Sequence, residues 1–254
     1  MKILAIGDVV GNDGALYLEQ KLRAFKRQNG IDFTIVNGEN SAKFNGIDSY
    51  SADIIFSAGA DVITTGNHVF RIPSFGEYMD TSAFVLRPAN YPKHCSGKGY
   101  GIYDCGFKRI LVINALGRIN TEPADSPFDV IDEILEKEKG NYHIAVLDVH
   151  AEATSEKAAL ARYFDGRIQI VFGTHTHVQT NDAQILPNGT AFITDIGMCG
   201  PTDSILGIES QIIINRLRLH SPRKFEFAKG EITAYGAVFT VTDNKVCDIQ
   251  AIKF

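Results

Sequence analysis

The chain has no paired cysteines. Cys95, Cys105, Cys199 and Cys247 are scattered without a C-x-x-C spacing, which excludes a zinc knuckle and a dithiol redox motif and leaves free, mostly buried thiols as the expectation. Nor does any stretch approach the ~18 uninterrupted apolar residues of a membrane span. The opening MKILAIGDVVG carries one lysine and an apolar run broken by Asp8, with no small-residue cleavage pattern, so it reads as a first strand and not as a signal peptide. A cytoplasmic protein with no membrane partner is expected. Positive charge is not in excess either: the formal net charge of -5 disfavours long nucleic acid, which calls for a basic face. No low-complexity linker and no solenoid-type repeat is found, and one domain over residues 1–254 is the expectation for a chain near the roughly 250 residues that an α/β unit reaches.

What is present is an alternation. Hydrophobic residues at 44% and charged residues at 22% fit a folded globular chain and argue against disorder or a fibre. Short β-branched runs occupy 2–10, 33–40, 61–69, 109–117, 143–151, 168–177 and 191–198, and the segments 15–28, 51–60, 127–140 and 154–164 carry apolar residues at i, i+3 and i+4. Such alternation predicts an α/β fold with helices covering a sheet. From Ile208 onward QIIINRLRL, KFEFAKGEITAYGAVFTVTD and KVCDIQAIKF alternate apolar with polar residues, which predicts antiparallel strands added to a second sheet. The glycine- and proline-rich stretch 87–108 reads as a long loop or hairpin.

Chemistry-bearing residues fall where the runs end. Asp8 follows LAIG, Glu39 and Asn40 follow TIVNG, Asn67 and His68 follow VITTG, His150 follows AVLDV, and His175 and His177 follow IVFGT. Taken singly, Asp8 suits a helix N-cap, Gly66-Asn67 suits a turn, and His150 suits a satisfied core histidine. Taken together, five strand ends deliver carboxylates, amides and imidazoles to one rim, the place where open α/β sheets bind ligands, and clusters of this composition hold metals. On an extended backbone His175 and His177 point to one side.

The ordered blocks GDVVG (7–11), NGEN (37–40), GNHVF (66–70), DVHAE (148–152), GTHTHVQT (173–180) and DIGMCGP (195–201) resemble the calcineurin-like metallophosphoesterases, and specifically the YmdB-like bacterial phosphodiesterases, along the whole chain. The resemblance implies a metallophosphoesterase-type four-layer α/β/β/α sandwich, two mixed β-sheets flanked by helices. It also implies two divalent or trivalent metal ions, iron or manganese favoured. Metal one would be held by Asp8, Glu39, Asn40 and His177, and metal two by Glu39, Asn67, His150 and His175, with Glu39 bridging and His68 as catalytic acid. Val10 stands where most of the superfamily has a metal-binding histidine, and Glu39 where it has an aspartate. Both departures are traits of the YmdB-like subfamily, in which Asn40 replaces the missing ligand. Glycines 7, 38, 66 and 173 border the ligands and are expected to let the backbone turn tightly.

Two metals roughly 3.5 to 4 Å apart can stabilise both the attacking and the leaving oxygens of a phosphoryl displacement, with a metal-bridging hydroxide as nucleophile. Subtracting Asp8, Glu39 and that hydroxide from two doubly charged ions leaves about +1. A small anionic substrate is expected inside an acidic protein. The resemblance implies cyclic nucleotide hydrolysis, 2',3'-cyclic nucleotides favoured, whereas the residues alone say only phosphoester. Tyr91, Tyr100, Tyr103 and Phe70 are candidates to stack on a base, with packing as their plainer role. Alternative functions are a broad phosphomonoesterase or nuclease, and a regulatory protein acting through a bound ligand or partner. A homo-oligomer is compatible with all of them.

Overall fold

The apolar runs fold as strands and the helically spaced segments as helices. In the structure, a computed structural model that describes residues 1–220 and 222–254, β1 (Lys2–Ile6) and β2 (Asp8–Val9) lead into α1 (Gly11–Asn29). Next come β3 (Phe33–Asn37), α2 (Ser49–Ala58), β4 (Val62–Thr64), α3 (Phe75–Thr81), β5 (Val85–Leu86), β6 (Tyr100–Cys105), β7 (Lys108–Leu116) and α4 (Pro127–Lys137). The remainder is β8 (Ile144–His150), α5 (Thr154–Tyr163), β9 (Ile170–Thr174), β10 (Gln184–Ile185), β11 (Ala191–Ile193), β12 (Met198–Pro201), α6 (Ser210–Leu219), β13 (Ile232–Thr242) and β14 (Lys245–Lys253).

Local chemistry sets the ends of these elements. Helix α1 buries Ala15, Leu18 and Leu22, one face at three- and four-residue spacing, and stops at Gly30, whose φ of 64° a residue with a Cβ adopts less readily. Helix α2 begins on a capping box in which Asp48 accepts from the Ser51 amide and Ser51 Oγ accepts from the Asp48 amide. Pro127 opens α4, where its missing N–H costs nothing.

Eight strands form one sheet in the order β2-β12-β13-β1-β3-β4-β5, with β14 on β13, and six form a second in the order β10-β11-β9-β8-β7-β6. Both are mixed: β1, β3, β4 and β5 run parallel and so do β7, β8, β9 and β11, while β13, β6 and β10 pair antiparallel. Strand alternation then divides the core. Ile3 and Ala5 of β1 share a cluster with Val112, Val146 and Phe172 of the other sheet, Leu4 and Ile6 pack with α1 and α2, and Leu111 and Leu147 pack with α4 and α5. Helix, sheet, sheet, helix is therefore the layering, as expected.

Three expectations are corrected. The C-terminal β13 and β14 do not enter the second sheet; β13 pairs with β1 in the first, and the second is built from the middle of the chain. QIIINRLRL is not a strand but α6: the Glu209 carboxylate caps the amides of Gln211 and Ile212 at 3.0 and 2.9 Å, and Gln211 bonds Asn215 one turn on. Its isoleucines fit either periodicity, and the cap decides. The cysteines are free as expected, but only Cys199 is buried. The 87–108 stretch is a loop followed by β6, which forms a hairpin with β7 around Gly106, φ 61°. No helix among the described residues is long and apolar enough to cross a membrane.

Candidate metal centre

Seven of the eight residues expected at the strand ends, Asp8, Glu39, Asn40, His68, His150, His175 and His177, contact one another at one rim where the carboxyl ends of β1, β3, β4, β8 and β9 converge, and Asn67 precedes His68 in the chain. The intersheet face changes character toward that rim. On β3 it runs Phe33, Ile35, Asn37; on β8 it runs Ile144, Val146, Asp148, His150; on β9 it runs Ile170, Phe172, Thr174. Below the rim lies a polar tier in which Asp148 accepts three hydrogen bonds, from Asn37 Nδ2 at 3.0 Å, Thr64 Oγ1 at 2.6 Å and Thr174 Oγ1 at 2.7 Å. These bonds tie the two sheets together. Thr174, having donated to Asp148, accepts from His150 Nδ1 at 2.9 Å, which leaves His150 Nε2 turned to the rim.

The upper tier holds the donor atoms. His150 Nε2 lies 2.6 Å from Glu39 Oε2 and 3.1 Å from His175 Nδ1, and a ligand atom from each of these three residues falls within 4.8 Å of the others. A wider group surrounds Asp8, whose Oδ1 is 3.8 Å from both His177 Nε2 and His150 Nδ1. Asp8 Oδ2 accepts the His175 amide at 3.0 Å. The Asn40 amide spans His177 Nε2 at 3.3 Å and His68 Nδ1 at 3.0 Å, and His68 Nδ1 also sits 2.9 Å from Glu39 Oε1. Two buried oxygens, Asp8 Oδ1 and Asn67 Oδ1, accept no hydrogen bond, and Glu39 Oε2 has only His150 Nε2 beside it. Buried acceptors are normally satisfied, and oxygens left bare among imidazole nitrogens form the donor set that divalent and trivalent transition metals take. The residues present fit such ions.

Electrostatics point the same way. Burial raises the Glu39 carboxyl, but the charge of His150 and hydrogen bonds from His150 and His68 outweigh it and hold the group below the usual carboxylate range. Burial opposes protonation of His150, and Glu39, Asp8 and Asp148 overcome it to raise the imidazole to about 9. His175 is lowered to about 4 by burial and by neighbouring His150, so it keeps its lone pair at neutral pH. Asp148 is raised to about 6, burial outweighing its three donors.

The expected geometry of the T-H-T-H segment is corrected. Strand β9 ends at Thr174, and His175 and His177 take left-handed φ values of 94° and 64°, so the backbone there is not extended. Such conformations cost about 1–3 kcal/mol each. Asp195 holds the turn: its Oδ2 accepts from the Thr176 amide at 3.2 Å and from Thr176 Oγ1 at 2.7 Å, and Lys157 Nζ, fully buried, pairs with the same oxygen at 2.7 Å. The two imidazoles diverge as a result. His175 faces His150, with its Nε2 3.0 Å from Glu152, while His177 faces Asp8 and Asn40 and its Nδ1 donates to the Leu206 carbonyl at 3.0 Å. The bordering glycines are also reinterpreted, since none of Gly7, Gly38, Gly66 and Gly173 has positive φ. They are needed for close approach: a Cβ on Gly66 would strike Glu39 Oε2 and His150 Nε2.

Sequence reasoning missed Asn37, Thr64, Asp148, Thr174, Lys157 and Asp195. The one readable signal was a polar residue on an inward phase, Asn37 in FTIVN and Asp148 in IAVLDVH. Of the aromatic candidates, Tyr91 and Tyr103 are buried, Tyr100 bonds Glu138, and Phe70 packs against Tyr91.

Two facing mixed sheets between helices, with carboxylates and imidazoles gathered at the ends of the parallel strands, define a metallophosphoesterase-type hydrolase. The chain belongs to the YmdB-like family: the family described as "YmdB-like protein" matches residues 4–252. It is similar to "2',3'-cyclic-nucleotide 2'-phosphodiesterase" of Bacillus subtilis (strain 168), being 42% identical over 243 residues that cover 96% of this chain and 92% of that protein. A solved structure of a hypothetical protein from Thermus thermophilus has a TM-score of 0.95 at 37% identity and covers 100% of this chain and 99% of that one. A novel phosphatase from Mycoplasma pneumoniae has a TM-score of 0.92 at 32% identity, over 100% of this chain and 93% of that one.

Proposed function

We propose that the chain hydrolyses cyclic nucleotides, 2',3'-cyclic nucleotides above others, at a dinuclear centre. Asp8, Glu39, Asn40 and His177 would hold one ion, and Glu39, Asn67, His150 and His175 would hold the other. The observation that carries this reading is the gathering of donor atoms from Glu39, His150 and His175 within 4.8 Å of one another, with bare buried oxygens on Asp8 and Asn67. Mixed nitrogen and oxygen donors favour iron or manganese over an all-oxygen magnesium site. Ligation by Asn40 turns its amide oxygen toward His177, a rotation that exchanges oxygen for nitrogen and leaves the shape of the side chain unchanged. When bound, the ions supply charge for the phosphoryl oxygens and lower the pKa of water.

The chain's own contribution is proton supply and orientation. His68 is held through Nδ1 by Glu39 and lines the cleft above the centre, which leaves Nε2 to meet the leaving oxygen. Water adds to phosphorus and releases one proton to solvent, the bond from phosphorus to the 2'-oxygen breaks, and that oxygen takes the proton from His68 Nε2, which solvent then restores. The product is a 3'-phosphomonoester beside a free 2'-hydroxyl. The Asp148–Thr174–His150 series fixes the tautomer of His150, and Asp195 with Lys157 fixes the turn that separates His175 from His177.

General acid catalysis contributes about 10² to 10⁴-fold. His68→Ala is therefore expected to keep both ions, counted by elemental analysis, and to lose about that factor in kcat on 2',3'-cyclic AMP. Loss of metal together with activity would make His68 a ligand. Assays on 2',3'-cyclic AMP, 3',5'-cyclic AMP, bis(p-nitrophenyl) phosphate and p-nitrophenyl phosphate rank diesters against monoesters. Absence of metal-dependent turnover on all four, with Glu39→Gln behaving like the parent chain, would leave the regulatory reading standing instead.

A further inference from the structure

Beyond His68 and the histidine turn the cleft continues. Its volume is about 930 Å³, near the top of the roughly 300–1,000 Å³ range of small-ligand sites. Away from the histidines the lining changes: it carries Lys43, Phe44, Lys224, Phe225 and Phe227. Phe44 stands 71% exposed at the tip of a tight turn, in which the Ala42 amide bonds the Gly46 carbonyl at 3.0 Å and Asn45 and Gly46 take φ of 87° and 84°. The ammonium groups of Lys43 and Lys224 lie 5.3 and 5.4 Å from the Phe44 ring centroid. Phe107, more exposed still at a hairpin tip, borders no part of this cleft. Exposed aromatic surface flanked by cations and continuous with a phosphate-processing centre has the composition of a single-stranded nucleic-acid platform, in which bases stack and lysines meet the backbone.

The chemistry of the substrate group adds to this. A 2',3'-cyclic phosphate forms when a 2'-hydroxyl of RNA attacks the adjacent phosphorus and expels the 5'-oxygen of the next nucleotide. The group is thus made at the 3' end of a fragment of any length, and cleavage of RNA by this route is the class of reaction that supplies it. Resting on the diesterase reading above, we propose that the Phe44, Lys43 and Lys224 wall is a subsite for the nucleotide preceding the scissile one, so that short oligoribonucleotides ending in a 2',3'-cyclic phosphate are substrates preferred over mononucleotides. Phe44 takes a base and the two lysines take the phosphate that joins it to the terminal nucleotide. The net charge of -5 disfavours capture of a longer strand.

The test compares kcat/KM for a tri-ribonucleotide ending in a 2',3'-cyclic phosphate with that for 2',3'-cyclic AMP, in the metal-loaded parent chain and in Phe44→Ala and Lys43→Ala/Lys224→Ala. In the parent chain the ratio is expected to be at least about fivefold, the low end of one base–aromatic stack. It should fall toward one in Phe44→Ala, and the double lysine variant should flatten its decline with added salt. Binding of a 5'-fluorescein tri-ribonucleotide bearing a 3'-phosphate, followed by polarisation, should weaken in the same variants. A parent ratio of one, or one unmoved by both variants, overturns the subsite while turnover of 2',3'-cyclic AMP keeps the diesterase reading. Absent turnover with variant-sensitive oligonucleotide binding overturns the diesterase reading and keeps the platform.

Discussion

Ile144 and Val146 of β8 pack into the apolar layer between the sheets, and Asp148 and His150, further along the same face, are equally buried and polar. One strand, one face and one degree of burial thus serve two purposes. The apolar half gains free energy from removal from water, about 1.5–3 kcal/mol for a fully buried valine or isoleucine. The polar half is held by matched donors and acceptors and, through them, aims Nε2 of His150. The transition occurs between Val146 and Asp148, where the first residue able to accept bonds from both sheets appears. Burial alone therefore does not distinguish a stabilising position from a functional one; what the side chain bonds does.

The sharpest way to break that division is Asp148→Asn. Three donors converge on this carboxylate, and an amide in its place sets an NH₂ group against at least one of them, while Asn37 is pinned by its own bond to the Glu39 amide at 3.1 Å. Loss of a partner that orients a metal-ligating histidine typically lowers metal affinity about 10–100-fold. That loss is the expected outcome, measured by competition with a chelator, with a smaller stability loss of about 1–3 kcal/mol from the unsatisfied donor. Unchanged metal affinity with reduced stability would place Asp148 with Ile144 as a purely structural group.

The same logic explains what the sequence discloses. Period-two alternation and the i, i+3, i+4 spacing mark most strands and helices α1, α2, α4 and α5, because burial repeats along the chain. The strand ends are legible because a carboxylate, amide or imidazole after an apolar run breaks that repetition. Lys157 and Asp195 are not legible, since each looks like an ordinary surface charge and only the fold brings the ammonium to the carboxylate that holds Thr176. The tail is misread for a related reason: IIINRLRL satisfies both periodicities, and the Glu209 cap that selects a helix acts through geometry and not through hydrophobicity. The left-handed φ of His175 and His177 has no sequence signal either, since the strain is imposed by partners far along the chain.

A second prediction separates the halves by pH. In the metal-free protein His150 is raised from its ordinary 6.5 to about 9 by Glu39 and Asp8 against the opposing effect of burial. The folded state therefore holds a proton that the unfolded state releases between those values. Stability from this group is complete below 6.5 and is lost as pH rises through 9, with a slope approaching about 1.4 kcal/mol per pH unit at most. Thermal midpoints of chelator-treated protein should fall between pH 6.5 and 9, and His150→Gln should flatten the decline. Metal takes the place of the proton, so metal affinity should rise over the same interval. A decline identical in His150→Gln would assign it to other groups.

The smallest effect tests the apolar half alone. Ile144→Val removes one methyl group from the layer between the sheets, where Ile144 is fully buried, and such a deletion costs about 0.5–1.5 kcal/mol. Metal affinity and kcat should stay at their parent values, since Asp148 and His150 are held by hydrogen bonds to Asn37, Thr64 and Thr174 and not by the packing of Ile144. Denaturant unfolding together with chelator competition reads both quantities on one sample. A drop in metal affinity in step with the stability loss would mean that the intersheet spacing set by the apolar residues controls the rim directly. The polar tier would then transmit packing and not insulate the centre from it, and the two halves of β8 would act as one unit.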